Sequence, residues 1–147
     1  MLLTNYSNLS AIFGLVGIVE SGIEDLINLG KLDAEEHAVE SAFTQQMVRE
    51  LRSKYPNKNV LIYHDQKSKF NGVNVAHQHV ECSLDFFTTT QGYEVDVFDS
   101  GTFTLVGDGG YINWCFDGNY VHDGNSVTFN PITSKSCIFT HHHYQQS

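Results

Sequence analysis

The feature that most constrains the fold of this chain is a change of hydrophobic period near Asn59. Before this residue, apolar side chains recur every three or four positions, as they do along one face of a helix. After it, apolar and polar residues alternate, and Gly, Asn and Asp separate the segments. The sequence therefore predicts an α+β fold in which two N-terminal helices pack on an antiparallel β-sheet, sandwich or small barrel.

Both predicted helices lie in residues 1–57. The first carries an apolar stripe and is expected to stop at Gly30, where glycine can adopt the positive φ of a C-terminal cap. The second is expected to start with a capping box formed by Asp33 and Glu36, and to end at Pro56. The stripes consist of Ile12, Leu15, Val16, Val19, Ile23, Leu26 and Ile27 in the first helix, and of Val39, Phe43, Met47, Leu51 and Tyr55 in the second.

The β-rich part is predicted to span residues 58–147 and to be built from short strands joined by tight turns. Because no linker separates it from the helical part, residues 1–147 are expected to form a single domain. Asn, Asp and Gly tolerate the backbone angles of hairpin turns. Turns are accordingly predicted at Asn71-Gly72, Asp99-Ser100-Gly101, Gly118-Asn119 and Asp123-Gly124-Asn125.

The charge balance argues against several classes of partner. The chain has 17 acidic and 8 basic side chains, a formal net charge of −9. Such a surface repels nucleic acid phosphates and anionic membranes. The apolar run from Ala11 to Val19 is shorter than the ~20 residues of a membrane span. A cytoplasmic location is expected by default, with unconventional export left open, and three cysteines are too few for a disulfide framework.

The segment from His77 to Glu81 is the leading candidate for metal chemistry. Alternate residues of a strand share a face, so His77, His79 and Glu81 would project together. With His122 or His64 from a neighbouring strand, they could ligate a transition metal. The alternative is a solvated polar face with no ligand.

This segment also resembles the first motif of the cupins, in which a glycine precedes His-x-His. Here these residues are Gly72, His77 and His79. The glutamate of that motif stands further along than Glu81 does, and His122 lacks the Pro and Gly context of the family's second motif.

The Gly-rich turns after residue 106 suggest two further ligands. Their oxygen donors could hold Ca²⁺, although turn chemistry alone also explains their composition. Tyr111 and Asn113, predicted to share one face of a strand beside these turns, could bind a sugar in a lectin-like manner. The predicted ligand-binding residues are Tyr111, Asn113, Asp108 and Asn119, and the predicted calcium donors are Asp108, Asp117, Asn119, Asp123 and Asn125.

The same region carries two resemblances. Residues 111–118, YINWCFDG, are similar to the aromatic-x4-aromatic-x-Gly pattern of a βγ-crystallin Greek key. Residues 107–116, GDGGYINWCF, resemble a segment of small uncharacterised fungal proteins, which implies a source but no activity.

The sequence holds no complete catalytic constellation, so an enzyme is not the preferred interpretation. We expect a non-enzymatic binding or self-associating protein, with a β-rich surface that recognises a glycan, a protein or a second copy. Exposed strand edges would allow a homo-oligomer to form. The alternative is a metal-dependent enzyme or metal-binding protein that uses the His-x-His strand. His141, His142 and His143 could add loose metal binding, respond to pH, or have no specific role.

Overall fold

A computed structural model describes residues 6–32, 35–64, 68–84, 90–107 and 110–133, with side chains described from residue 14 onward. Two helices precede eight strands. In chain order the elements are α1 (Tyr6–Asn28), α2 (Glu36–Lys54), β1 (Asn59–His64), β2 (Lys69–Val73), β3 (Ala76–Cys82), β4 (Gln91–Phe98), β5 (Ser100–Thr104), β6 (Trp114–Asp117), β7 (Tyr120–Asp123) and β8 (Ser126–Phe129).

The first helix ends as the sequence predicts. Gly30 has a φ of 68°, its N–H donates to the carbonyl of Ile27, and the N–H of Lys31 donates to the carbonyl of Leu26. These two bonds form a Schellman motif, which satisfies carbonyls that the helix end leaves open. Of the predicted stripe, Leu15, Val19 and Ile23 are buried, whereas the other side chains that are described are half-buried: Val16, Leu26 and Ile27.

The second helix buries the predicted stripe but begins later than predicted. Its N-cap is Glu35, in an extended conformation and without a capping hydrogen bond from its side chain. The capping box that starts at Asp33 is therefore wrong: Glu36 is the first helical residue, and Asp33 itself lies outside the described residues. Burial of four apolar residues one turn apart stabilises this helix instead of a side-chain cap. These residues are Val39, Phe43, Met47 and Leu51.

The strands form two antiparallel four-stranded sheets, so the α+β prediction is confirmed and the small barrel is not formed. Sheet A has the order β3-β4-β1-β6, and sheet B has the order β2-β5-β8-β7. Helix α1 packs against β3, whereas α2 packs against β1 and β6.

One long bent ribbon connects the two sheets and replaces two of the predicted hairpins. In sheet A, Ala76 pairs with Val97, and in sheet B Val73 pairs with Ser100, so the register continues without a break across the bend. Strands β2 and β3 form one arm of the ribbon, and β4 and β5 form the other. The predicted turns at Asn71-Gly72 and Ser100-Gly101 are wrong, because these residues lie within the paired strands β2 and β5 of sheet B, where Gly72 is opposite Gly101.

Close packing, rather than a turn, explains the glycines at this position. A Cβ on Gly72 would lie 2.5 Å from Cζ of Phe70 and 2.6 Å from Cγ2 of Val75. A Cβ on Gly101 would lie 2.5 Å from the carbonyl oxygen of Asn71. Glycine within a strand commonly marks such a close approach.

The remaining predicted turns differ in outcome. Gly124 has a φ of 57° and lies in the β7–β8 hairpin, as predicted. Gly118 and Asn119 are not a hairpin turn, since they carry the chain from β6 in sheet A to β7 in sheet B. Buried Asn59 holds this crossing, because its Oδ1 accepts from the N–H of Asn119 at 2.8 Å.

Sheet A is the middle layer and carries a hydrophobic cluster on each face. One cluster joins α1 and α2 to residues such as Val60 and Ile62 of β1. The other lies between the two sheets and is largely aromatic; its buried members are Leu61, Tyr63, Phe98, Phe103, Leu105, Trp114, Phe116, Val127 and Phe129. In the part of the chain described, no helix is long and apolar enough to cross a membrane.

Candidate functional site

The candidate site lies on the polar face of β3, which is one edge strand of sheet A. Along β3, buried residues that face the helices alternate with exposed residues on the opposite face. His77, His79 and Glu81 lie on this exposed face, as the two-residue period predicts. The adjacent strand β4 places Asp96 opposite His77 and Glu94 opposite His79.

These cross-strand neighbours form a connected network of imidazoles and carboxylates. Nδ1 of His77 lies 2.7 Å from Oδ1 of Asp96, and its Nε2 lies 2.8 Å from Oε2 of Glu94. The other oxygen of Glu94, Oε1, lies 2.7 Å from Nδ1 of His79. The Glu94 carboxylate therefore joins the two histidines.

The two contacts of His77 differ in kind. Its Nδ1 forms a hydrogen bond with Oδ1 of Asp96, whereas its Nε2 lies at an ion-pair distance from Oε2 of Glu94. An ionised carboxylate only accepts hydrogen bonds, so a ring nitrogen that bonds to one donates.

Asp96 is the most deeply buried carboxyl group of the network. It is 1% exposed, and its Oδ2 has no hydrogen-bond partner among the described residues. Burial raises the pKa of Asp96, and hydrogen bonds from His77 and Tyr63 together with the His77 charge counteract only part of this effect.

His79 differs from His77 because only its Nδ1 lies close to a carboxylate. Its Nδ1 is held by Glu94, whereas its Nε2 lies 4.0 Å from Oε1 of Glu81, beyond hydrogen-bond distance. The ring lies over Gly92 of β4, and the side chains of His79 and Glu81 are 51% and 64% exposed.

Sequence reasoning missed Glu94 and Asp96, although they complete the network. Their spacing, Glu94-x-Asp96, matches the spacing of His77-x-His79 on the partner strand. This correspondence would have predicted the four-residue network if β3 and β4 had been paired correctly. The wrong turn at Asn71-Gly72 concealed it, because β3 was assigned to a hairpin with the preceding strand.

The histidines expected to complete a metal site lie elsewhere. His122, on β7 of sheet B, packs its ring 5.5 Å from the Trp114 ring and 5.6 Å from the Phe116 ring. His64 stacks on Tyr93 at 4.2 Å between ring centroids, and burial lowers its pKa. Within the described residues, no group of three or more His, Cys, Asp or Glu side chains is arranged to hold a metal ion.

The residues predicted to bind a sugar do not converge where they are described. Tyr111 and Asn113 form a turn before β6 rather than part of a strand, and Tyr111 packs against the helix-side core. Asn119 follows the other end of β6, where its Nδ2 donates to the carbonyl of Pro131 at 3.1 Å. Asp108 lies outside the described residues.

Three of the predicted calcium donors take part in structural contacts. Nε of Arg52 lies 3.2 Å from Oδ2 of Asp117, and both side chains are largely buried. Asn125 donates from Nδ2 to the carbonyl of Gly107 at 3.1 Å, and Asn119 makes the contacts given above. These contacts agree with the turn-chemistry alternative.

Comparison with known proteins gives one short similarity. The stress response protein YvgO of Bacillus subtilis (strain 168) is 54% identical over 37 residues, which cover 25% of this chain and 23% of that protein. The chain thus spans less than a quarter of the relative's length. No family model matches the chain, and no solved structure matches it. The resemblance to fungal proteins stays a prediction.

Proposed function

We propose that this protein is a non-enzymatic binding protein that associates with a second copy of itself through the free edge of β3. Strand β3 ends the order of sheet A, so the described residues place no strand beside its outer edge. The backbone N–H and C=O groups along such an edge are a template for pairing with another strand. This exposed edge, with its alternating histidine and glutamate side chains, is the observation that carries the proposal.

The side chains of β3 are complementary to those of a second, antiparallel β3. If the two-fold axis passes through Val80, His79 of each copy lies directly opposite Glu81 of the other. When His79 is protonated the two residues carry unlike charges, and such directly opposed pairs stabilise two strands by roughly 0.2–1 kcal/mol each. The same register places the two Val80 side chains together beneath the helices, where each is already buried.

Helix α1 offers a second surface for association. It packs on β3, and its residues Gly14 and Gly17 have no atoms within 4 Å of the position that a Cβ would occupy. Ile18, beside them, is 63% exposed. A neighbouring molecule that pairs with β3 could therefore also approach the backbone of α1 and cover this apolar side chain.

A reducing compartment suits the proposal. The two cysteines among the described residues, Cys82 and Cys115, are both buried free thiols. Such thiols are common in proteins of the cytoplasm, which is the location that we propose.

Light scattering and sedimentation over a range of protein concentrations test the self-association directly. We expect a reversible dimer. Glu81→Lys should weaken it about tenfold or more, because both His79–Glu81 pairs are lost and each lysine repels a protonated His79 of the other copy; ~1.4 kcal/mol corresponds to tenfold in affinity. Asp123→Lys is the matched control, since it makes the same charge change on exposed β7 of sheet B.

Two results would contradict the proposal. One is a native chain that stays monomeric at every concentration. The other is a Glu81→Lys variant that dimerises as tightly as the native chain, because self-association would then involve a different surface.

A further inference from the structure

We infer that the polar face of β3 is a binding site for a guanidinium group, as carried by an arginine side chain of a partner polypeptide. The guanidinium stacks on the open face of the His79 ring and pairs with the Glu81 carboxylate. This site does not depend on the proposed self-association, because it uses the polar face of β3 rather than its free edge.

The His79 ring is held over the inner strand β4. A Cβ on Gly92 would lie 2.9 Å from Cε1 and 3.2 Å from Nε2 of this ring, so the glycine leaves the room that the ring occupies. Nδ1 of His79 lies 2.7 Å from Oε1 of Glu94, which fixes the ring in this position. Since the His79 side chain is 51% exposed, the ring has one face covered by Gly92 and one face open to solvent.

Glu81 supplies a carboxylate beside this ring. It is directly opposite Gly92 in the β3–β4 pair, and its Oε1 lies 4.0 Å from Nε2 of His79. The two oxygens of a carboxylate accept two parallel N–H groups of a guanidinium, and the planar guanidinium also stacks on aromatic rings. The lysine ammonium has neither the fork nor the plane, so a ring next to a carboxylate favours arginine.

The charge of this face also suits a cationic partner. The chain has a formal net charge of −9, and β3 and β4 place three carboxyl groups beside the two histidines. Such a surface attracts cations and repels anionic ligands. Glu94 and Asp96 lie deeper than the histidines, whereas Glu81 is 64% exposed and is therefore the carboxylate that meets the ligand.

His77 does not form an equivalent site. It lies four residues from Glu81, about 13 Å along an extended strand, so one guanidinium cannot contact both side chains. Its two ring nitrogens lie 2.7 and 2.8 Å from carboxyl oxygens of Asp96 and Glu94, which are themselves largely buried.

Peptide titrations followed by NMR test the inference. The probes are three acetylated and amidated alanine tripeptides whose central residue is replaced by arginine, lysine or citrulline. Citrulline keeps the planar group without its charge, and lysine keeps the charge without the plane. The titrations use ~0.15 M salt, which screens long-range attraction, and pH ~8, above the usual titration range of histidine.

The arginine peptide should bind at least about threefold more tightly than either control peptide, because only arginine combines stacking with a paired charge. The chemical shift changes should centre on the backbone amides of His79, Glu81 and Gly92.

Two variants locate the site. Glu81→Gln should weaken arginine binding about threefold, while Asp123→Asn, which makes the same charge change on exposed β7, should leave it unchanged. Gly92→Ala keeps the side chains of His79 and Glu81 but displaces the ring, so it should remove the preference for arginine over lysine. Glu81→Gln alters an exposed side chain, so its result stands even if Gly92→Ala weakens the fold.

Three results would overturn the inference. They are equal affinities for the arginine and citrulline peptides, an arginine preference that persists in Glu81→Gln, and shift changes that leave His79 and Glu81 unaffected. Light scattering on the same samples separates this inference from the proposed function. Selective arginine binding by a monomeric chain would overturn the self-association alone, and a dimer without this selectivity would overturn the guanidinium site alone.

Discussion

The two edge strands of sheet A, β6 and β3, differ in how completely the rest of the molecule covers them. All four residues of β6 are buried, with α2 on one face and the aromatic cluster of sheet B on the other. In β3, the face toward α1 is buried, whereas the opposite face carries exposed His77, His79 and Glu81. This face of β3 stays uncovered because the ribbon bends away from β3 to form sheet B.

The polar network on β3 follows from this incomplete coverage. Charged groups are costly to bury unless they are paired, so they are tolerated where one side remains accessible to solvent. Glu94 and Asp96 lie deeper than the histidines, and the histidines cover them. The edge of the sheet thus combines a buried and a half-buried carboxyl group, which orient the imidazoles, with exposed side chains.

The largest effect on stability is expected for Phe116→Ala on β6, the edge strand that is covered on both faces. Removing this buried ring from the aromatic cluster should cost about 3–5 kcal/mol of unfolding free energy, because a cavity remains between the sheets. Denaturant unfolding followed by circular dichroism measures the loss.

Two further variants control for the size and the position of this change. Phe116→Leu should lose less, because it keeps most of the volume. Glu81→Ala on β3 should change the stability of the monomer by no more than about 0.5 kcal/mol. Similar losses on the two strands would contradict the contrast.

Asn59→Ala tests how the crossing from β6, the covered edge strand of sheet A, is held next to sheet B. The Asn59 side chain donates to the carbonyls of Asp99 and Asn130 at 2.8 and 3.0 Å, and accepts from the N–H of Asn119. Its loss removes three hydrogen bonds of a buried side chain and should cost about 1–3 kcal/mol. Asn59→Asp is an informative second variant, because it keeps the acceptor and removes the donor.

Hydrogen exchange would show whether the effect is local. Faster exchange should concentrate where β6 crosses to β7, at Gly118 and Asn119. Uniform acceleration throughout the chain, without a change confined to this crossing, would show that Asn59 does not act as a local clamp.

Local rules predicted the helices well because their determinants are close in sequence. The stripe of α2, from Val39 to Leu51, and the Schellman motif at Gly30 each depend on residues within a few turns of one another. The face shared by His77, His79 and Glu81 follows in the same way from the two-residue period of a strand.

The partners of these residues could not be predicted in the same way. Asn71-Gly72 has the composition of a hairpin turn, but its glycine is required for close packing against Phe70 and Val75. That requirement depends on the bend of the ribbon, which is a tertiary feature. Consequently Glu94 and Asp96, which lie 15 and 19 residues from the histidines with which they form hydrogen bonds, stayed unrecognised.

Asp96→Asn tests the buried end of the network through pH. Burial raises the pKa of Asp96 in the folded protein above its unfolded value, so its contribution to stability is full below the unfolded pKa and declines as pH rises through the folded pKa. The unfolding free energy of Asp96→Asn, relative to the native chain, should therefore increase as pH rises from about 4 toward neutrality. Denaturant titrations at several pH values measure this difference.

The matched control is Asp99→Asn, for which the unfolding free energy relative to the native chain should change with pH in the opposite direction. Burial alone would raise the pKa of Asp99, but hydrogen bonds from Lys58 and Asn74 and the Lys58 charge lower it. Asp99 thus contributes stability above its unfolded pKa, and this contribution is lost in acid. If the unfolding free energies of both variants, relative to the native chain, changed with pH in the same direction, burial would not be the dominant influence on the pKa of Asp96.

The smallest expected difference between the two edges concerns their cysteines, Cys82 on β3 and Cys115 on β6. Both thiols face the helix layer, and burial raises the pKa of each to about 12, with Glu20 and Glu40 adding to the effect at Cys82 and Asp117 at Cys115. Since the thiolate is the reactive form, neither should be alkylated appreciably at pH ~8 in the folded chain. Peptide mapping after iodoacetamide treatment, with unfolded protein as the reference, distinguishes them from Cys137, which lies outside the described residues. Rapid modification of Cys82 alone would show that the helix-side face of β3 is also accessible to solvent. The two faces of β3 would then differ less in accessibility than the burial of their side chains indicates.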